Sequence, residues 1–131
     1  MDKYLVTNSA YDRLWAEYQK YGQLIVAVDF DDTLYDFHGT GESYEMVKQL
    51  VRDLHSIGCI ITIWTGNKDT DFIKDFLSKN NINWNYINED APFAPQGSRK
   101  LYANVYIDDR AGLEQVYNDL NRIVKNVTSN N

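Results

Sequence analysis

A three-layer α/β fold with a mainly parallel central sheet is what this sequence predicts, on three observations. Short runs rich in Ile and Val alternate with stretches whose apolar residues recur at helical spacing, the order expected of βαβ units with right-handed crossovers. Those runs are continuously apolar rather than alternating, as in strands covered on both faces. Two of them, LIVAVDFDDTL at 24–34 and NVYIDD at 104–109, run directly into clustered aspartates. Crowded carboxylates repel one another and resist desolvation, so folding gains nothing from them unless a cation or a proton intervenes.

The bulk properties bound the rest. A chain of 131 residues with 44% hydrophobic and 24% charged residues reads as a single globular domain over 1–131. Thirteen basic against nineteen acidic residues give a net charge of −6, which disfavours a long nucleic acid or an anionic membrane as partner. The single Cys59 and the lack of a membrane-length or signal-like apolar run point to a reducing, cytoplasmic setting.

Taken in order, residues 1–22 form an amino-terminal helical extension. Its helix spans 9–21, with Ser9 and Asp12 resembling a capping box and Tyr11, Leu14, Trp15 and Tyr18 as the face turned to the core. After the first strand, the glycine-containing loop 35–41 is placed to act as a flap over the acids. Residues 42–57 carry Met46, Val47, Leu50, Val51, Leu54 and Ile57 on one face of a helix that Gly58 ends. A second buried strand, 59–65, leads to a helix over 69–80 and a short strand around 84–87. The loop 88–100 holds both prolines and is long enough to expect a functional reason. The last strand, 104–109, precedes a final helix with Leu113, Val116, Tyr117, Leu120, Ile123 and Val124 inward, and 125–131 reads as a flexible tail.

Parallel strands bring their carboxyl ends to one edge of the sheet, where ligands bind in such folds. That edge collects Asp29, Asp31, Asp32 and Thr33 from the first strand, Thr65 and Gly66 from the second, and Asp108 and Asp109 from the last, with Lys100 just upstream. Hard oxygen ligands, a hydroxyl and an ammonium suit Mg²⁺ and a phosphoryl group, since Mg²⁺ prefers few carboxylates together with water and substrate phosphate oxygens.

The run Asp29-Phe30-Asp31-Asp32-Thr33 resembles the DxDxT signature of the haloacid dehalogenase (HAD) superfamily of phosphotransferases. Thr65, Lys100 and the pair Asp108-Asp109 match its other three motifs in the right order, and GSRKLYANVYIDDR at 97–110 resembles a group of small capless members. The resemblance implies a Rossmann-like, HAD-like fold and a Mg²⁺-dependent phosphatase acting through an aspartyl-phosphate intermediate. Residue by residue, it implies Asp29 as nucleophile and Asp31 as general acid and base. Asp29, the main-chain carbonyl of Asp31, Asp108 and Asp109 would hold Mg²⁺, while Thr65, Gly66 and Lys100 would grip the phosphoryl oxygens. Thr33 and Asp32 would support the cluster, Asp32 standing where the family often has glycine.

Segments 34–64 and 66–99 are largely consumed by core helix and strand, which leaves no room for a sizeable cap. An open site suits a small phosphorylated molecule gripped by loops, a large substrate, or an oligomer or partner chain that closes over it. His38, Asn67, Arg99 and Arg110 are the candidate substrate contacts; His55 reads as a helix-surface residue. Each residue alone has a plainer reading: aspartates after strands cap helices and form turns, and a lone lysine is usually solvated. Their joint order outweighs those readings. Two alternatives stand beside a small-molecule phosphatase: a nucleotide or polynucleotide end phosphatase, and a catalytically idle phosphate-binding or receiver-like module.

Overall fold

The structure is a computed structural model and describes residues 2–129. Its centre is strand β1 (Ile25–Val28), all four residues of which are buried. Strands β2 (Ile60–Ile63), β3 (Tyr86–Ile87) and β4 (Val105–Ile107) complete a sheet of order β3-β2-β1-β4 with every pairing parallel. The register sets Val28 beside both Ile63 and Ile107, so the three chains leave the sheet at one level.

Four helices accompany the sheet: α1 (Ser9–Tyr21), α2 (Glu45–Ser56), α3 (Thr70–Lys79) and α4 (Leu113–Ser129). Successive strand side chains point to opposite faces, and the two faces are clothed differently. Val26, Val28, Ile61, Ile63, Val105 and Ile107 share one apolar cluster with Leu14 of α1, Leu50 and Leu54 of α2, Ile73 and Leu77 of α3, and Leu120 and Ile123 of α4. On the other face Ile25 packs with Ala91 and Ala94, with Ile60, Tyr86 and Ala103 against them. The segment 88–103, without helix or strand, is therefore the third layer. At roughly 1.5–3 kcal/mol for each large apolar side chain fully buried, cohesion lies overwhelmingly on the helical side. The fold is Rossmann-like α/β, and the described residues include no sizeable cap.

Local rules account for most element ends. Gly22 adopts φ 73° and returns its N–H to the carbonyl of Tyr18 at 2.7 Å, a left-handed helix ending that glycine takes without strain. Asp69 caps α3 by accepting from the Phe72 N–H at 3.1 Å. The aromatic stripe of α1 packs inward as its spacing predicts, with Tyr11 and Leu14 buried and Trp15 and Tyr18 against the core.

Three expectations need correction. The Ser9–Asp12 capping box is absent: Asn8 is the N-cap, in the left-handed region at φ 68°, and the Ser9 hydroxyl donates back to the Val6 carbonyl at 2.7 Å. Helix α2 starts at Glu45 rather than 42, because the residues before it are spent on the flap, which Asp36 ties together, and Tyr44 enters at φ 56°. The tail expected at 125–131 is helical through Ser129, held by Val127 packing on the core and by Asn126 donating to the Tyr11 hydroxyl at 2.6 Å. Residues 130 and 131 of that tail, and Met1 of the amino-terminal extension, lie outside the described residues. No helix among the described residues is long and apolar enough to cross a membrane.

Candidate functional site

The acids gather where β1 and β4 end side by side. The Asp29 N–H donates to the Ile107 carbonyl at 2.9 Å, extending the ladder by one step and setting the carboxylate at the sheet edge beside those of β4. Asp29, Asp108 and Asp109 each offer an oxygen within 4.8 Å of the others. Thr33, fully buried, lies between two of them: its hydroxyl is 3.0 Å from Asp29 Oδ2 and 3.2 Å from Asp109 Oδ1, and it accepts the Asp109 N–H at 3.1 Å. A hydroxyl has one proton, so it can donate to only one of the two carboxylates at a time.

Electrostatics mark the same spot. Burial pushes Asp29 up to about 7, and Asp108 and Asp109 add to the rise against the opposing pull of the Thr33 hydroxyl. Asp31 is also raised, by burial first; the Asn67 side chain and His38 pull it down and Asp32 pushes it up. Oδ1 of Asp31 is buried with no hydrogen-bond partner among the described residues. Three converging hard oxygen donors and one orphaned carboxylate oxygen form a donor set that suits a divalent cation of the Mg²⁺ type. The side chain of Asp31 is not one of the three converging donors.

Thr65 follows β2 on the neighbouring chain. Its N–H donates to Asn88 Oδ1 at 2.8 Å, its carbonyl accepts from Asn88 Nδ2 at 2.9 Å, and its hydroxyl oxygen accepts the Asn67 N–H at 3.0 Å. The hydroxyl proton of Thr65 is thus left to donate. Gly66 is exposed, and a Cβ there would meet nothing within 4 Å, so packing does not demand glycine. Asn88, which sequence reasoning missed, is the strut of this corner. An asparagine just after a strand reads as an ordinary turn former, and only its register beside Thr65 reveals the role.

Lys100, just upstream of β4, is exposed. Its Nζ lies 5.3 Å from the centre of the Tyr106 ring, and it forms no ion pair with the acids among the described residues. Arg99 and Arg110 are exposed and make no ion pair there either; the Arg110 N–H donates to Asp108 Oδ1 at 2.9 Å. Asp32 has φ 59°, a glycine-like conformation, and its carboxylate pairs with His38 in the flap. His55 sits half-buried in the last turn of α2, away from the cluster's ligand set. The structure therefore brings together Asp29, Thr33, Asp108 and Asp109, with Asp31, Asp32, His38 and Asn67 beside them.

Fold and site together define an α/β protein of parallel-sheet type with an acidic cluster at the carboxyl ends of its strands. No family model matches the chain, and no curated protein matches it. Among solved structures, one described as a conserved protein from Bacteroides thetaiotaomicron superposes with a TM-score of 0.59 at 22% identity. The match covers 77% of this chain and 92% of that one, and it is a likeness of fold.

Proposed function

We propose that the protein is a Mg²⁺-dependent phosphatase that hydrolyses a phosphate monoester through an aspartyl-phosphate intermediate on Asp29. The observation that carries this reading is the convergence of Asp29, Asp108 and Asp109 within 4.8 Å at the edge of a parallel sheet, with Asp31 two residues beyond the first. Two unit charges of like sign about 4 Å apart repel by about 4 kcal/mol at an effective dielectric of 20. A dianionic substrate would not settle against these carboxylates unaided. Asp29, Asp108, Asp109 and the Asp31 carbonyl would hold Mg²⁺, which would supply positive charge favouring ionised Asp29 and offsetting the charge of the phosphoryl oxygens.

The chain's own residues supply the remaining steps. The Asp29 carboxylate attacks phosphorus as the bond to the leaving oxygen breaks, and Asp31 gives that oxygen its proton. The raised proton affinity of Asp31 keeps more of it in the acid form. Asp31 then removes a proton from water, the water oxygen attacks phosphorus, and the bond to Asp29 breaks to release phosphate. Thr65 donates to a phosphoryl oxygen, and Lys100, which forms no ion pair among the described residues, reaches the same group on its flexible stem.

The test is hydrolysis of an aryl phosphate by purified protein. Turnover should require Mg²⁺, vanish on chelation, and be lost in Asp29→Asn with the circular dichroism spectrum unchanged. Retained activity in Asp29→Asn would remove Asp29 as nucleophile. Lys100→Ala should lower kcat by about a hundredfold to a thousandfold, the range for losing one charge-stabilising donor; an unaltered rate would leave Lys100 with its Tyr106 contact alone.

A further inference from the structure

We propose that Tyr106 is the positioning residue for Lys100: its hydroxyl anchors the segment that carries the lysine, and its ring holds the ammonium on the sheet face that bears Asp29 and Asp108. The proposal rests on the phosphatase reading above and deepens it, since it says how an exposed lysine outside any helix or strand is brought to the phosphoryl group.

The backbone around Lys100 is tied on both sides while its side chain stays exposed. The Tyr106 hydroxyl donates to the Leu101 carbonyl at 2.5 Å, the Tyr102 N–H donates to Asp90 Oδ1 at 2.9 Å, and the Ser98 hydroxyl donates to the carbonyl of Lys100 itself at 2.7 Å. Of these three bonds, the one from Tyr106 joins the segment to the sheet. The same side chain meets the lysine a second time, with Nζ 5.3 Å from the centre of its ring. An aromatic face attracts an ammonium without neutralising it. A carboxylate in that place would hold the charge more firmly and compete with the phosphoryl oxygens for it; Lys100 has no such partner among the described residues.

The sheet sets that ring beside the acids. Val26, Val28, Val105 and Ile107 turn to the helical side, so alternation sends Tyr106 to the opposite face, with Asp29 and Asp108 one step further along the same rows. Tyr106 pairs with Ala27, two residues before Asp29. Asp108 stands two residues beyond Tyr106, about 7 Å along the strand at roughly 3.3 Å per residue. Strands β2 and β4 flank β1, and across the small Ala27 the Tyr106 ring meets that of Trp64 with centroids 5.6 Å apart. Trp64 donates its N–H to the Val28 carbonyl at 2.9 Å, beside Asp29, and is followed by Thr65, the other proposed phosphoryl ligand. From the Tyr106 ring, rotation of the flexible lysine stem carries the ammonium toward a phosphoryl group on Asp29.

The experiment is a double-mutant cycle, read as kcat for an aryl phosphate with Mg²⁺ in proteins whose circular dichroism matches wild type. Tyr106→Leu removes ring and hydroxyl together and should lower kcat by about tenfold to a hundredfold, the cost of misplacing a group by an ångström or so. Tyr106→Phe keeps the ring and loses the tether; it should stay within about twofold to tenfold of wild type, the worth of one net hydrogen bond. In a Lys100→Ala background both substitutions should become silent, because a residue that acts through the lysine has nothing left to place. Orthophosphate binding, followed by calorimetry, should show the same pattern without turnover. Should Tyr106→Leu fail to fold, the Tyr106→Phe arm carries the comparison. A merely structural role would multiply onto the loss from Lys100→Ala, and that result, or wild-type kcat in the Tyr106 variants, would overturn the proposal. An unaltered rate in Lys100→Ala would overturn it too, while dependence on Asp29 and Mg²⁺ would keep the phosphatase reading. Absence of turnover in wild-type protein would instead bring down the phosphatase reading, and this inference with it.

Discussion

Asp29 is held between two demands, since the proposed role of nucleophile requires it ionised whereas its burial favours the proton. With its pKa raised from 3.8 to about 7, Asp29 binds a proton more tightly folded than unfolded. In metal-free protein that preference contributes stability fully below pH 3.8, and the contribution is lost as pH rises through about 7. Urea titrations of chelator-treated protein across this window should show wild type losing stability relative to Asp29→Asn, with Mg²⁺ restoring it at the upper end. Parallel curves would mean that Asp29 titrates alike in both states. The acids themselves were legible in the sequence, because clustered carboxylates after apolar runs have few structural uses. Asn88 was not, because its role depends on which chain lies alongside.

At the scale of elements, asparagine is the recurring device. Asn85 and Asn104 precede β3 and β4; each donates its N–H to a strand carbonyl, of Ile61 and Ile25 respectively, and accepts that residue's own N–H on its side-chain oxygen, at 2.8 and 2.6 Å. Asn88 does the corresponding service beyond β3. These side chains continue the ladder one step before each short strand without lengthening its apolar run. Helix periodicity was readable throughout, because one buried face repeats every three or four residues. Caps are less legible: the pattern at Ser9 suits a box, but the Val6 carbonyl captures the hydroxyl. Asp69 does cap its helix, so Asp69→Ala should cost about 0.5–2 kcal/mol in chemical denaturation. A change below that range would mean that solvent satisfies the Phe72 N–H equally well.

Across the whole molecule, the asymmetry of the two sheet faces is the dominant fact, and the sequence hid it. Strand runs that are apolar throughout announce two covered faces without saying whether helix or loop covers each. One cover is the segment 88–103, whose residues 95–100 are all exposed. Trypsin at limiting dose should therefore cut first, among internal sites, after Arg99 or Lys100, as mass spectrometry of the early fragments would show; first cuts within α2 or α3 would contradict the layering.

The strand order also dictates when the molecule becomes complete. β1, β2 and β3 are joined through nearby helices, but β4 must return to the far side of β1 with residue 105 pairing residue 26. Long chain closures are entropically costly and come late in folding. Because Asp108 and Asp109 arrive with that strand, a chain emerging from the ribosome carries Asp29 for most of its synthesis without the partners that crowd it. On that ordering the acidic cluster is completed late in assembly, so a cation bound there would act as a latch on the finished molecule rather than a seed for its folding.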